Sequence, residues 1–165
     1  MFKKSGFTLI ELVMLIILTG ILAATAIPKL IGNDGFEAQA YRDQLLQLLK
    51  TVQQQAMSCD KTCRESRTSN PYACNKVIIE ADRFGIPSNC DDDNATALEL
   101  PDAFNPPQLG MSQAEADSST ISFSSHTIEF NPLGVASNCA GCDISIIGEQ
   151  TLFIRIESQG YIHEQ

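Results

Sequence analysis

Residues 7–27 read FTLIELVMLIILTGILAATAI, an apolar run broken by one charge, Glu11. No other feature constrains the fold so tightly. Coiled as an α-helix, the run reaches about 30 Å, the thickness of a bilayer's hydrocarbon core. Lys3 and Lys4 stand ahead of it. Positive charge stays on the cytoplasmic side, so the sequence predicts a single-pass helix with its N-terminus inside and the remainder exported. A cleaved secretory signal is the rival, with Ala23, Ala24 and Ala26 as a small-residue cleavage region. The run is longer than such signals carry, and it holds a carboxylate. A charge in the apolar part of a membrane helix costs at least about 2.5–3.5 kcal/mol. Two explanations of Glu11 stand side by side: hydration near the cytoplasmic interface, or a partner of opposite charge.

The stretch Lys3-Lys4-Ser5-Gly6-Phe7-Thr8-Leu9-Ile10-Glu11-Leu12 resembles the processing site of type IV prepilins and the related secretion pseudopilins. The match consists of a short basic leader, Gly6, then Phe7, Thr8, Leu9 and Glu11 at fixed offsets, then the unbroken apolar run. The resemblance implies that prepilin peptidase cuts between Gly6 and Phe7 and N-methylates Phe7. Residues 1–6 would then be a leader, and residues 7–28 a transmembrane helix that is both anchor and filament core. It further implies that Glu11 neutralises the N-terminal amine of a neighbouring subunit during assembly. A charge pair in low dielectric is far stronger than one in water and can set axial register. Gly20 and Pro28 stand where these pilins carry a Gly and a Pro flanking a segment able to unwind in the filament. A kink at the membrane exit is the plainer reading, since Pro28 cannot donate a backbone hydrogen bond and crowds Ala24.

After Pro28, Gly32-Asn33-Asp34-Gly35 is rich in turn formers. Ala38, Tyr41, Leu45, Leu48, Leu49, Val52 and Ala56 then recur at three- and four-residue steps, with Gln, Arg, Asp and Lys on the other face. This predicts an amphipathic helix within residues 29–58, packing one stripe on a head. With the membrane helix it makes a long stem, continuous or bent near residues 32–35.

Residues 59–165 change to short strands and turns. Strands are expected near residues 74–79, 84–87, 96–100, 120–124, 127–130, 143–147 and 151–157, with a last short one at 161–162. Residues 101–118, with Pro101, Pro106 and Pro107, read as a surface loop. The fold class is therefore α+β: a long N-terminal helix packed on a small antiparallel sheet or sandwich that is disulfide-bonded. The motif Ile128-x-Phe130-x-Pro132-x-Gly134, followed by two strands and a closing Gly, resembles the GspH/FimT-like group of minor pilins and pseudopilins. Residues 33–59 and the Cys pair around a Phe-Gly-Ile segment are most similar to minor pilins of mannose-sensitive haemagglutinin pili.

Six cysteines, Cys59, Cys63, Cys74, Cys90, Cys139 and Cys142, all follow the apolar run. An even count in an exported domain of this size reads as a disulfide framework. A zinc site is disfavoured, because there is one CxxC and neither His lies near a Cys in the chain. Six cysteines allow 15 pairings. A hairpin with a three-residue turn centred on Asp82 would place Cys74 opposite Cys90. Cys139 and Cys142 flank a flexible Ala-Gly turn, and the remaining local pair is Cys59 with Cys63. A competing set joins Cys59 or Cys63 to Cys74 or Cys90.

The formal net charge of −9 argues against general nucleic-acid binding. Asp91, Asp92 and Asp93 form an oxygen-rich loop without the spacing of a calcium-binding loop, so no metal and no cofactor are expected. A thioredoxin-like use of Cys139-Ala-Gly-Cys142 lacks the strand-then-helix context that lowers a thiol pKa. No nucleophile–base set or phosphate loop is present, and an enzyme is not expected. The reading is a structural minor pilin helping to initiate or cap a pilus and so supporting adhesion. Its partners would be other major and minor pilins through the N-terminal helix, prepilin peptidase and the inner-membrane assembly platform. The location would be the inner membrane with the head periplasmic, then the cell surface. A type II secretion pseudopilin is the alternative, with a tip adhesin or DNA-uptake pilin behind it.

Overall fold

The computed structural model describes residues 8–31, 34–59, 74–90, 97–105 and 109–165, with the side chains of 23–35 outside that description. Gly6, Phe7, Cys63 and the acidic loop at 91–93 therefore lie outside the described residues, as does the side chain of Pro28. The chain divides into two units, residues 1–33 and 34–165.

The first unit holds helix α1 (Leu9–Ile31). Thr8 starts it: its carbonyl accepts from the Glu11 N–H at 3.1 Å and the Leu12 N–H at 3.3 Å. Its hydroxyl oxygen lies 3.4 Å from the Glu11 nitrogen, an N-cap contact that satisfies one orphan donor of the first turn. From Leu9 to Leu22 large apolar side chains are exposed around the helix, Leu9 at 82% and Leu22 at 66%. Among the described residues no helix is long and apolar enough to cross a membrane. The run expected to do so, residues 7–28, extends past the described side chains at both ends.

The second unit is built on helix α2 (Asp34–Ser58). Its three- and four-residue periodicity places Ala38, Leu45, Leu48, Leu49, Val52 and Ala56 on one buried stripe, with Tyr41 half-buried beside them. These are the stripe residues expected from the sequence. Among the described residues, seven strands form two antiparallel sheets: β1 (Lys76–Ile79), β2 (Phe84–Gly85), β3 (Ser122–Phe123), β4 (His126–Glu129), β5 (Cys142–Ile147), β6 (Thr151–Ile156) and β7 (Ile162–Glu164). One sheet runs β2-β1-β4 and the other β3-β5-β6-β7.

Two-residue alternation sends Ile144 and Ile146 of β5, and Ile154 and Ile156 of β6, into the same core as the α2 stripe. Asp143, Ile147 and Thr151 point to the solvent face. Val77, Ile79 and Ile128 bring the smaller sheet to that core. Phe123 joins the parts, meeting Phe84 edge-on at 5.3 Å between ring centroids and Tyr41 at 6.4 Å. Such aromatic pairs add about 0.5–1.5 kcal/mol beyond their buried area.

Several expectations are corrected. The β1–β2 hairpin pairs Ile79 with Phe84, and the Glu80 N–H donates to the Arg83 carbonyl at 2.8 Å. The turn thus has two residues, Ala81 and Asp82, rather than three centred on Asp82. Cys74 and Cys90 lie beyond the end of this short ladder and are bonded all the same, with Cα atoms 5.6 Å apart. Residues 97–100 do not form a strand. The Asn89 carboxamide bonds the Ala97 carbonyl at 2.7 Å and the Glu99 N–H at 2.9 Å, holding that segment by side-chain bonds. Within the expected loop 101–118 lies a short helix, α3 (Gln113–Ser118). It is set by a capping box, with Ser112 bonded to the Glu115 N–H and the Glu115 carboxylate to the Ser112 N–H. Strands β3 and β4 are close in sequence yet join different sheets.

Candidate functional site

Glu11 stands in the first turn of α1, three residues after the Thr8 cap, and is exposed. A carboxylate there faces the positive end of the helix dipole, worth about 0.3–1 kcal/mol. Chemically, the position offers an exposed carboxylate four residues after Phe7 in the chain. Gly20 sits mid-helix with open space where a Cβ would be, and the Thr19 hydroxyl bonds back to the Leu15 carbonyl at 2.9 Å. Hydroxyl back-bonding of this kind favours slight bending. The segment from Gly20 to Pro28 is α-helical here.

In the second unit, α2 is tied to two turns, the one at Gly134 that follows β4 and the one at Gly160 that joins β6 to β7. The Gln53 amide donates to the Gly134 carbonyl at 2.7 Å and also to the Gly160 carbonyl. Gly134 (φ 78°) and Gly160 (φ 90°) adopt the left-handed conformation that glycine takes at little cost. A Cβ on Gly160 would run into the Gly134 carbonyl, and one on Gly134 would press on Met57. The Ile128-to-Gly134 motif is thereby explained: Ile128 and Phe130 are buried, and Asn131 folds the turn by accepting from the N–H groups of Leu133 and Val135. Arg42 adds a second tie, reaching Glu164 of β7 at 2.8 Å.

The outer face of the larger sheet carries a charged row. Arg155 bonds both Asp143 oxygens at 2.9 Å, and His163 lies 3.3 Å from Glu157 with Tyr161 stacked on its ring. The hydrogen bond to Asp143, and then its charge, push the Arg155 pKa further up. Tyr41 also has a raised pKa, first because burial disfavours the phenolate and then because Glu37 and Glu115 are near.

Cys74–Cys90 and Cys139–Cys142 are disulfides, both members of the all-local set. Cys59 is also disulfide-bonded. The fold brings His126, at the start of β4, beside the second of these pairs: its ring nitrogen and the sulfurs of Cys139 and Cys142 lie within 4.8 Å of one another. In the chain neither His126 nor His163 lies near a Cys, and this separation hides the proximity of His126 to the CxxC. The signal that finds it is Asn138, which precedes Cys139 and whose carboxamide bonds the Thr127 carbonyl and the Glu129 N–H of β4. Compared with known protein families, characterised proteins and solved structures, the chain matches none.

Proposed function

We propose that the chain is a structural minor pilin of a type IV pilus of the mannose-sensitive haemagglutinin kind, made as a prepilin. Prepilin peptidase would cut between Gly6 and Phe7 and methylate the Phe7 amine. The apolar helix would hold the chain in the inner membrane with its head in the periplasm, then pack among other pilins in the filament. In this role the chain helps to start or cap the pilus and so supports surface adhesion.

One observation carries the reading: the Gly6-Phe7-Thr8-Leu9-Ile10-Glu11 sequence heads an apolar run, residues 7–27, whose only charge is that glutamate. Two further observations support it. From Leu9 to Leu22 the large apolar side chains of α1 are exposed around the helix, which suits a helix destined for lipid or a helical bundle. The head beyond it is small and disulfide-linked, as exported domains of limited core size are. The long N-terminal stem on a β-rich head, expected from the resemblance, is part of this proposal. The same leader serves a type II secretion pseudopilin. Deletion of the gene separates the two, by loss of pili or loss of secreted enzymes.

Mass spectrometry of the protein recovered from membranes or sheared filaments tests the reading directly. The expected first residue is Phe7 with one added methyl group. A first residue beyond Ala26 would mean that the apolar helix is removed, and the proposal would fail.

A further inference from the structure

We propose that, once the Cys139–Cys142 bond is reduced, the head holds one zinc ion on Cys139, Cys142 and His126. A zinc site needs thiolate and imidazole donors at about 2.3 Å and 2.0–2.1 Å from the ion, which in tetrahedral geometry puts the donor atoms roughly 3.5–3.8 Å apart. The three side chains already place theirs within 4.8 Å of one another. The CxxC spacing is that of zinc ligand pairs, and the Cα atoms of Cys139 and Cys142 are 5.2 Å apart.

The backbone around the three ligands is held on both sides. Asn138 fastens the segment before Cys139 to β4 at Thr127 and Glu129, one and three residues from His126. On the other side the Gly141 N–H donates to the Ile156 carbonyl of β6 at 2.8 Å. Opening the disulfide therefore leaves two sulfurs and an imidazole on fixed supports, the condition for a preorganised site. Among the described residues no group hydrogen-bonds the His126 ring, so its nitrogens are available. Cys139 is buried at 3% exposure, while Cys142 and His126 are partly open. His126 also lines an open cavity of about 530 Å³ with Ile78, Glu80, Leu98 and Thr127. That opening leaves the imidazole of His126 accessible from solvent.

The disulfide and the ion are alternative states of one sulfur pair. A water-soluble phosphine reduces the bond: two electrons pass to the sulfurs, water supplies the oxygen of the phosphine oxide, and its two protons end on the thiols. Binding of Zn²⁺ then releases both thiol protons.

The test uses the full chain in detergent micelles, reduced with the phosphine and titrated with Co²⁺ alone as a spectroscopic substitute. The wild type is expected to take up one more Co²⁺ than a Cys139→Ser/Cys142→Ser variant treated alike. The bound ion should show thiolate-to-cobalt charge transfer and be displaced by Zn²⁺. His126→Ala should weaken binding at least tenfold, and His163→Ala should leave it unchanged. Equal uptake by the double serine variant, or unaltered affinity in His126→Ala, would overturn the proposal. Reduction also opens Cys74–Cys90, so Cys142→His provides a second arm that needs no reductant. This variant keeps a thiol and two imidazoles at the site and should bind Co²⁺ with thiolate charge transfer. If it is folded by circular dichroism and takes up no cobalt, the proposal is equally overturned.

Discussion

Replacing Gln53 tests whether α2 is locked to the sheet by hydrogen bonding or by apolar packing alone. Its amide is half-buried and donates to the carbonyls of two buried glycines, Gly134 and Gly160. Gln53→Ala removes both donations. At about 1 kcal/mol per hydrogen bond, with an added penalty where a carbonyl stays dry, the expected loss is about 2–3 kcal/mol. Gln53→Glu keeps the shape but aims a carboxylate at two carbonyl oxygens. It should be worse than alanine at pH 7 and recover as the pH falls and the carboxyl regains a donor proton. The chain has no Trp, so urea unfolding is followed by circular dichroism. With a urea slope of about 1–3 kcal/mol per molar, the alanine midpoint should fall by about 1 M. The reasoning is refuted if Gln53→Glu is as stable as wild type at pH 7, or if Gln53→Ala changes the midpoint by less than 0.2 M, which the same slope equates to about 0.2–0.6 kcal/mol.

Removing Cys74–Cys90, with a sequence separation of 16, should cost about 3 kcal/mol by chain entropy, against about 2 kcal/mol for Cys139–Cys142, whose separation is 3. Paired Cys→Ser variants compared in urea check the order. Tyr41, with its raised pKa, should titrate above the ordinary tyrosine value of about 10 in an ultraviolet absorbance titration. Because the folded state holds this proton more tightly, stability should fall as pH rises above the ordinary tyrosine value of about 10, and Tyr41→Phe should remove that decline. Leu49→Ala deletes a fully buried side chain from the α2 stripe and should cost about 2–5 kcal/mol in the same unfolding assay.

Periodicity made the α2 stripe and the β5–β6 hairpin legible, because both bury one face of a regular element and turn formers bound the hairpin. The short helix is marked by a capping box of Ser112 and Glu115, a signal that the expectation of a loop passes over. The proline content of residues 101–118 drew the reading toward a loop instead. The Ala81–Asp82 turn was misjudged by one residue because burial runs almost unbroken through Ile78, Ile79, Phe84 and Ile86, leaving alternation no handle on register. The partition of β3 and β4 between two sheets rests on pairings with β5 and β1, contacts between distant parts of the chain that no local pattern announces. His126 meets Cys139 for the same reason, through the Asn138 side chain bridging to β4.

Glu11 is where the proposed function and the physics of a single helix make different demands. As a first-turn anion it adds about 0.3–1 kcal/mol to its own helix, an effect that Asp shares and Gln loses without consequence for neighbouring chains. As the partner of an amine on another subunit it matters only when subunits meet, and there, in low dielectric, losing it leaves an unpaired buried charge, a penalty of about 3–5 kcal/mol. Glu11→Gln distinguishes these roles. The variant should reach the membrane at wild-type levels, since it removes a charge that insertion disfavours, and its helicity should be unchanged. Its incorporation into sheared filaments, measured by immunoblot against the membrane pool, should drop by more than tenfold. If Glu11→Gln enters filaments as well as wild type, the carboxylate acts only on its own helix end, and assembly must take its register from the heads.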